Sequence, residues 1–538
     1  MEAVGLGFAA ASVAELCLRI GKDLYKRCKS YLQAEHELRE ASLCIQGHWI
    51  KIEHQISVLH RVWKSLGDDL QIHQNLVLQV LQGKLQNAVN TVHSLGVLDD
   101  QRETSTLDRV VAKMGDTKRL KYAAYAKSCL EGIIVDLEKW QRRFDPSWFL
   151  LARIAVPVID QQLLAEEEKT PGQSSVVSSV MQLRHVHNLN RNDAVASSVS
   201  TSIFLQASYG IQNRELIPLS TASTGSNSGH GLIIDYIPAR AQVPINLATK
   251  DVRNLAHVLS NVDPERFGLL PCHGVAKRRD PSTQSISGFD IIFSIPEKLV
   301  HTRPRSLRSL LSTSPASVYP LNERVKLAVS LARSIVFLHS SCFVHKNISP
   351  ENILLLHNNH QPTDVLGNLF LVGFERFRLA EGRTYMSGDS AWEKNLYRHP
   401  KRQGLHPEEE YTMQHDIYSV GVCLLEIGLW TTFVCYSEDP KSVTTPSPAL
   451  RPIEGHIGAR DQQRAATLIK DILVREALTR LPAVMGQIYS DVVVSCLTCL
   501  DKDNQRFGDE REFEDDDGIL VGVRYIEKIL FELEKIVV

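Results

Sequence analysis

The chain has 538 residues, of which 43% are hydrophobic and 23% are charged, and its formal net charge is -2 at pH 7. This length exceeds what one hydrophobic core supports, and we expect two domains. The near-zero charge gives no overall attraction to nucleic acid, which argues against a nucleic acid partner. The cysteines are scattered, and the close pair Cys496 and Cys499 has no second pair to complete a zinc site. A reducing, cytoplasmic environment therefore fits best.

Residues 45 to 144 carry three stripes of apolar residues at alternating steps of four and three. Such a stripe is the face that a helix buries against its neighbours. The stripes are Ile45, Trp49, Ile52, Ile56, Leu59, Trp63, Leu66 and Leu70, then Leu78, Leu81, Leu85, Ala88, Val92 and Leu95, then Ala126, Leu130, Ile133, Leu137, Trp140 and Phe144. Each stripe predicts one long helix, and Asp145-Pro146 is expected to end the third because proline cannot continue a helix. With the apolar segment ahead of them, these helices predict a bundle over residues 1–165.

The apolar segment at the start reads Met-Glu-Ala-Val-Gly-Leu-Gly-Phe-Ala-Ala-Ala-Ser-Val-Ala-Glu-Leu and continues as Cys-Leu-Arg-Ile-Gly-Lys-Asp-Leu. It resembles the opening of fungal HeLo and HeLo-like domains, helical bundles associated with membrane-damaging cell death. The resemblance implies a first helix that can leave the bundle and enter lipid. The candidate membrane contacts are the apolar Leu6, Phe8, Val13 and Leu16 and the basic Arg19, Lys22, Lys26, Arg27 and Lys29, which suit anionic headgroups. The alternative is a buried first helix whose basic residues form a solvated face. No segment has the ~20 apolar residues needed to span a bilayer.

Residues 166–228 have the composition of a linker, rich in serine, threonine, asparagine and glycine. The glycines Gly225, Gly229 and Gly231 do not have the Gly-x-Gly-x-x-Gly spacing of a loop that covers nucleotide phosphates. We therefore expect a Ser-rich linker or brace.

The segment from 343 to 356 reads Phe-Val-His-Lys-Asn-Ile-Ser-Pro-Glu-Asn-Ile-Leu-Leu-Leu. It resembles the catalytic loop of protein kinases, in which His-Arg-Asp is followed by Asn. His345 and Asn352 hold their places, but Asn347 stands where the resemblance puts the catalytic Asp. A neutral amide cannot accept the proton of an attacking hydroxyl. Ser349 replaces the lysine that faces the transferred phosphate, which removes a positive charge as well.

Two further segments depart from the kinase pattern at the positions that carry chemistry. Residues 370–375 fall where kinases have Asp-Phe-Gly, and Phe374 remains, but Gly373 replaces the metal-binding Asp. Glycine offers Mg²⁺ no side-chain oxygen. The predicted strand at 232–236 corresponds to the one that carries the nucleotide-binding lysine, and it contains no lysine.

The remaining resemblance is structural. Asp416 opens an apolar segment similar to the central helix of the larger kinase lobe, whose Asp braces the catalytic loop. Lys401 replaces the glutamate of the Ala-Pro-Glu motif. Its expected partner, Arg506, is also cationic, so the resemblance implies that this ion pair cannot form.

These features predict a multidomain protein, with an all-α N-terminal helical bundle followed by an α+β bilobal protein-kinase-like fold. The bundle takes residues 1–165, the linker 166–228 and the kinase-like domain 229–538. Within the latter, the small lobe covers about 229–297 and the large lobe about 298–538. No catalytic residue is intact and no metal site is expected, which indicates a pseudokinase. ATP could bind only without a conventional Mg²⁺ site.

The combination is similar in architecture to the mixed-lineage kinase-like executioner of necroptosis, a likeness that carries fold-level weight only. It implies that an upstream kinase or signalling receptor acts on the kinase-like domain. The bundle would then form a homo-oligomer on anionic lipids, and the protein would move from the cytoplasm to the plasma membrane. One alternative is an atypical active serine/threonine kinase that binds ATP and uses Glu375 or Asp364 as a substitute metal ligand. Another is a non-catalytic scaffold that recruits other helical-bundle proteins.

Overall fold

The structure is a computed structural model, and it divides the chain into two compact units, Met1–Arg184 and His185–Val538. They are called here the N-terminal unit and the C-terminal unit. Their boundary falls inside the segment with linker composition. The residues that the structure describes are 2–29, 36–97, 116–152, 154, 157–169, 180–181, 184, 215–218, 231–240, 243–260, 262–299, 303–313, 319–357, 365–379, 391–404, 407, 409–436, 444–448, 450, 462–501, 504, 507 and 519–537.

The described part of the N-terminal unit is helical. Its helices are α1 (Glu2–Lys29), α2 (His36–Val62), α3 (Asp68–Val97), α4 (Asp116–Phe149) and α5 (Pro157–Lys169), with short 3-10 turns at Trp63–Ser65 and Leu150–Ala152. Every residue of the three predicted stripes is at most 5% exposed, so the stripes are the core of this unit. Helices α1, α2, α3 and α4 pack on one another along these faces.

Two helix boundaries differ from the sequence expectation. The first stripe is not one helix, because Leu66 adopts an extended backbone conformation and α3 begins only at Asp68, after the turn at Gly67. The third helix does not end at Pro146 but continues to Phe149. Proline normally disrupts a helix interior by about 3 kcal/mol. Here the next residues, including Trp148 and Phe149, are at most 1% exposed, and their burial favours continuation.

The described part of α1 is packed into the N-terminal unit by a narrow face. Ala14, Cys17, Leu24 and Cys28 are fully buried, and the same face carries Gly21. A Cβ atom on Gly21 would lie 1.9 Å from the indole ring of Trp49, so only glycine allows α1 to approach α2 this closely. This contact makes α1 part of the bundle core.

Helix α5 and Arg184 extend the unit beyond residue 165. Buried Glu166 contacts His54 Nδ1 at 2.7 Å and Arg61 Nη2 at 2.5 Å. Arg184, also buried, donates to the carboxylate of Asp160 through Nε at 2.6 Å and Nη2 at 2.8 Å. These ion pairs attach the first part of the predicted linker to the bundle.

The C-terminal unit opens with a four-stranded sheet. Its strands are β1 (Glu215–Pro218), β2 (Gly231–Pro238), β3 (Cys272–Arg279) and β4 (Ile286–Ser294), in the order β1-β2-β4-β3. Strand β1, which lies in the predicted linker, pairs parallel with β2, and the other pairs are antiparallel. The amphipathic helix α6 (Ile245–Ser260) packs against β3 and β4.

The rest of the C-terminal unit is mainly helical, and its described residues also form three smaller sheets. The helices are α7 (Pro264–Phe267), α8 (Leu307–Thr313), α9 (Leu321–Ser340), α10 (Trp392–Asn395), α11 (Met413–Leu429), α12 (Gln462–Thr479), α13 (Leu481–Met485), α14 (Gln487–Leu497), α15 (Ile519–Tyr525) and α16 (Phe531–Glu534). The strands are β5 (Arg303–Ser306), β6 (Phe343–Val344), β7 (Ile353–His357), β8 (Asn368–Leu371), β9 (Arg378–Leu379), β10 (Val434–Cys435) and β11 (Thr445–Pro446). Helix α11 is buried along its whole length and packs against α9 and α14, which places the core of this unit around it.

Candidate functional site

The loop between β6 and β7 is held by one carboxylate, that of Asp416 near the start of α11. Its Oδ2 accepts the backbone N–H of His345 at 2.8 Å, and its Oδ1 accepts that of Lys346 at 2.9 Å. His339 Nε2 at 3.1 Å and the Tyr411 hydroxyl at 2.6 Å also donate to it. Burial favours the neutral acid, but these donors outweigh it and hold the pKa of Asp416 below its usual value. Lys346 is thereby kept at a φ of 64°, which non-glycine residues rarely adopt.

The side chain of His345 is uncharged and forms hydrogen bonds on both sides of its ring. Its Nε2 contacts the carbonyl of Val372 at 3.1 Å, and its Nδ1 accepts the backbone N–H of Asn347 at 3.3 Å. These contacts fit the tautomer protonated at Nε2. Burial lowers the pKa of His345 to about 4, so the ring carries no charge near neutral pH. The ring therefore connects the loop to Val372, the residue that follows β8.

The uncharged polar side chains of the loop form hydrogen bonds with backbone carbonyls and with each other. Asn347 Nδ2 donates to the carbonyl of Gly373 at 3.2 Å. Asn352 Nδ2 donates to the carbonyl of Asn347 at 2.8 Å and lies 3.4 Å from the hydroxyl of Ser349. All of these side chains are neutral. They stabilise the loop, but they provide neither a proton acceptor nor a counter-charge for a phosphoryl group.

The turn after β8 has no room for a side chain at Gly373. This residue has a φ of 85°, and a Cβ atom there would lie 2.3 Å from Cγ and Oδ1 of Asn352. Phe374 follows it and is 1% exposed. The centroid of its ring lies 4.8 Å from the ring centroid of His345 and 6.0 Å from that of Phe293. The amide of Asn352 fills the space into which a carboxylate at position 373 would project.

A carboxylate does reach this turn, but it comes from the sheet. Asp235 on β2 is 3% exposed, and its Oδ2 accepts the backbone N–H groups of Gly373 at 2.9 Å and Phe374 at 2.7 Å. Sequence analysis did not single it out, because one Asp in an apolar strand gives no sign of a partner 138 residues away. Strand β2 covers the strand predicted at 232–236. A carboxylate therefore lies in the strand where the kinase resemblance places a lysine.

A second group missed by sequence analysis is a buried ion cluster below the loop. Arg308 Nη1 donates to Glu426 Oε1 at 2.6 Å, and Arg308 Nε donates to Glu351 Oε1 at 2.9 Å. The hydroxyl of Tyr397 accepts from Arg308 and donates to Glu426 at 2.8 Å. Burial raises the pKa of Glu426, and Arg308 opposes that rise. The cluster joins α8, α11 and the loop into one structural element.

A cavity of about 240 Å³ opens beside the loop. It is lined by Lys346, Asn347, Ile348, Ser349, Glu351, Asn352, Glu375, Glu393, Lys394, Tyr397, Arg398, Ser419 and Tyr436. Glu375 is paired with Arg376 at 3.4 Å. No group of three or more metal-ligating side chains occurs among the described residues.

Two expected residues of the kinase-like region lie outside the described residues, namely Arg506 and the alternative ligand Asp364. Lys401, which stands in the position of the Ala-Pro-Glu glutamate, forms an ion pair with Glu409 on the same loop.

The candidate membrane residues lie on the N-terminal unit. Val13, Leu16 and Arg27 are half-buried, and Arg19, Lys22, Lys26 and Lys29 are exposed. Arg19, Lys22, Lys26 and Lys29 follow one another at intervals of three, four and three residues, which places these four cations on one face of α1. Lys22 lies 3.3 Å from Glu53, and Arg27 is paired with Asp23 at 2.9 Å. The side chains of Leu6 and Phe8 are outside the described set. No helix within the described ranges is both long enough and apolar enough to cross a membrane.

Comparison with known proteins finds similarity to a kinase over part of the chain. No protein-family profile matches the sequence. A probable serine/threonine-protein kinase of Dictyostelium discoideum is 30% identical over 140 residues, which are 25% of this chain and 7% of the length of that kinase. A chain in the structure of the CAK complex from Chaetomium thermophilum bound to ATP-gamma-S is similar at 15% identity, over 54% of this chain and 80% of that chain, with a TM-score of 0.30. That TM-score is too low to relate the folds, and the local sequence similarity to the Dictyostelium protein is what supports a protein-kinase-like region in this chain.

Proposed function

We propose that this chain is a signalling pseudokinase. Its C-terminal unit would keep the catalytic-loop framework of a kinase without phosphoryl transfer. The observation that carries the proposal is the contact between Asn347 and Gly373, where a neutral amide donates to the backbone of a glycine that stands at the position of the metal-binding Asp in the kinase resemblance. Loss of a general base typically lowers a rate by 10²–10⁴, and loss of the metal ligand adds to it.

Transfer of radiolabelled phosphate from ATP to a general protein substrate, in Mg²⁺ and in Mn²⁺, tests this. We expect no transfer above the background without protein. The rival proposal, an atypical active kinase, rests on Glu375, which lines the cavity and is the described candidate for a substitute ligand. Glu375→Gln separates the two, because turnover that disappears in this variant would identify an active kinase with a displaced metal ligand.

We further propose that the C-terminal unit controls a HeLo-like bundle that acts on anionic membranes in regulated cell death. The support is the exposed basic face of α1, formed by Arg19, Lys22, Lys26 and Lys29. In this proposal an upstream kinase or receptor releases the bundle, which oligomerises at the plasma membrane. Each cation near an anionic surface contributes about 1 kcal/mol to binding.

Sedimentation of residues 1–184 with phosphatidylserine-containing vesicles tests the membrane step. Lys26→Glu should lower vesicle affinity at least fivefold, since about 1 kcal/mol corresponds to that factor. Lys139→Glu makes the same charge change at an exposed site on α4 and is the matched control. Leu6→Asp should reduce dye leakage from the vesicles. Equal binding by the Lys26 and Lys139 variants would contradict the basic face, and coimmunoprecipitation of other bundle proteins without leakage would favour a scaffold.

A further inference from the structure

Asp235 carries a buried carboxyl group that the proposed function does not use. It lies on β2, and within the described parts of the chain its hydrogen-bond donors are the backbone N–H groups of Gly373 and Phe374. Both donors converge on the same oxygen, Oδ2. Two successive backbone N–H groups on one carboxylate oxygen give charge-assisted bonds, which are about twice as strong as neutral ones.

We propose that the carboxylate of Asp235 is an internal latch that ties strand β2 to the Gly373–Phe374 turn and thereby holds Phe374 in the core. The ring of Phe374 contacts Phe293 on β4 and His345 in the loop beside Asp416. The latch therefore connects the four-stranded sheet to that loop. When it opens, Phe374 loses the anchor that orients its ring, and the contact with His345 loosens with it.

The charges around the latch make it sensitive to protonation. Glu375 on the turn and Asp290 on β4 both add negative charge, and Asp290 is paired with Arg278 at 2.8 Å. Burial raises the pKa of Asp235 to about 7, although the two N–H donors oppose the rise. Local opening of the turn removes these two donors while Asp235 stays buried on β2, so the ionised carboxylate favours the closed latch, and the latch is tightest above that pH. Protonation below it replaces two charge-assisted bonds by weaker neutral ones.

Hydrogen exchange of the full chain, read at the amides of Gly373 and Phe374, tests the latch. At pH 8, Asp235→Asn keeps the shape of the side chain and removes the charge, and it should lower the protection factors at least tenfold. Asp235→Ala should lower them further. Asp290→Asn is the matched control, because it removes a carboxylate from the neighbouring strand without touching the turn, and it should change them less than twofold.

A pH series supplies a readout that does not depend on any variant folding well. After correction for intrinsic exchange, protection of these two amides in the wild-type chain should fall at least tenfold from pH 8 to pH 6. In Asp235→Asn it should stay constant over the same range. Protection in Asp235→Asn within twofold of wild type at pH 8, or wild-type protection that does not change with pH, would overturn the proposal.

Discussion

The close contact between Gly373 and Asn352 allows a quantitative test of how the catalytic-loop segment is packed. Gly373→Ala adds a Cβ atom at a φ of 85°, where an L residue is strained by about 1–2 kcal/mol. The same Cβ atom would lie 2.3 Å from Cγ and Oδ1 of Asn352, so this side chain must move. Moving it breaks the 2.8 Å hydrogen bond to the Asn347 carbonyl, which contributes about 1 kcal/mol. We expect a total destabilisation of about 2–3 kcal/mol.

Urea unfolding of the full chain, fitted as one transition for each unit, measures this change. Gly21→Ala places a Cβ atom against Trp49 in the N-terminal unit and identifies which transition belongs to the bundle. In an Asn352→Ala background, the cost of Gly373→Ala should fall to the backbone strain of about 1–2 kcal/mol. If Gly373→Ala still costs about 2–3 kcal/mol in this background, the steric part of the reasoning is wrong. If it costs nothing in the wild-type chain, the whole argument is wrong.

Three more predictions concern the charges of the C-terminal unit. Arg308→Met should lower the free energy of unfolding by about 3–5 kcal/mol, because it leaves buried Glu426 unpaired; a loss under about 1 kcal/mol in urea unfolding would contradict this. Asp235 has a pKa raised from 3.8 to about 7, so the folded state holds a proton that the unfolded state has released, and stability should fall as pH rises through this window, by up to about 4 kcal/mol. In Asp235→Asn this fall in the free energy of unfolding with rising pH should be absent. If the variant shows the same pH dependence as the wild-type chain, the prediction is wrong. Asn347→Asp alone should produce no phosphate transfer from radiolabelled ATP, since Gly373 still supplies no metal ligand; measurable turnover by this variant would show that the base alone was missing.

The apolar stripes could be predicted from the sequence because burial of a helix face repeats with the helix period. The break after Leu66 and the continuation past Pro146 could not, since each depends on tertiary packing that outweighs local preference. The loop motifs located Asn347 and Gly373 by spacing. The contact between these two residues and the hydrogen bond from Gly373 to Asp235 depend on the path of the chain between β2 and β8, which no local pattern encodes.

Because Trp49 packs against Gly21, the fluorescence of Trp49 can report whether α1 is docked on the bundle. The Trp49 ring is 1% exposed while α1 is docked, and only the absence of a side chain on Gly21 lets the helix cover it. Departure of α1 from the bundle would bring this indole into water and shift its emission to longer wavelength. In a variant whose other tryptophans are replaced by phenylalanine, undocking of the first helix could be followed in real time without an attached dye.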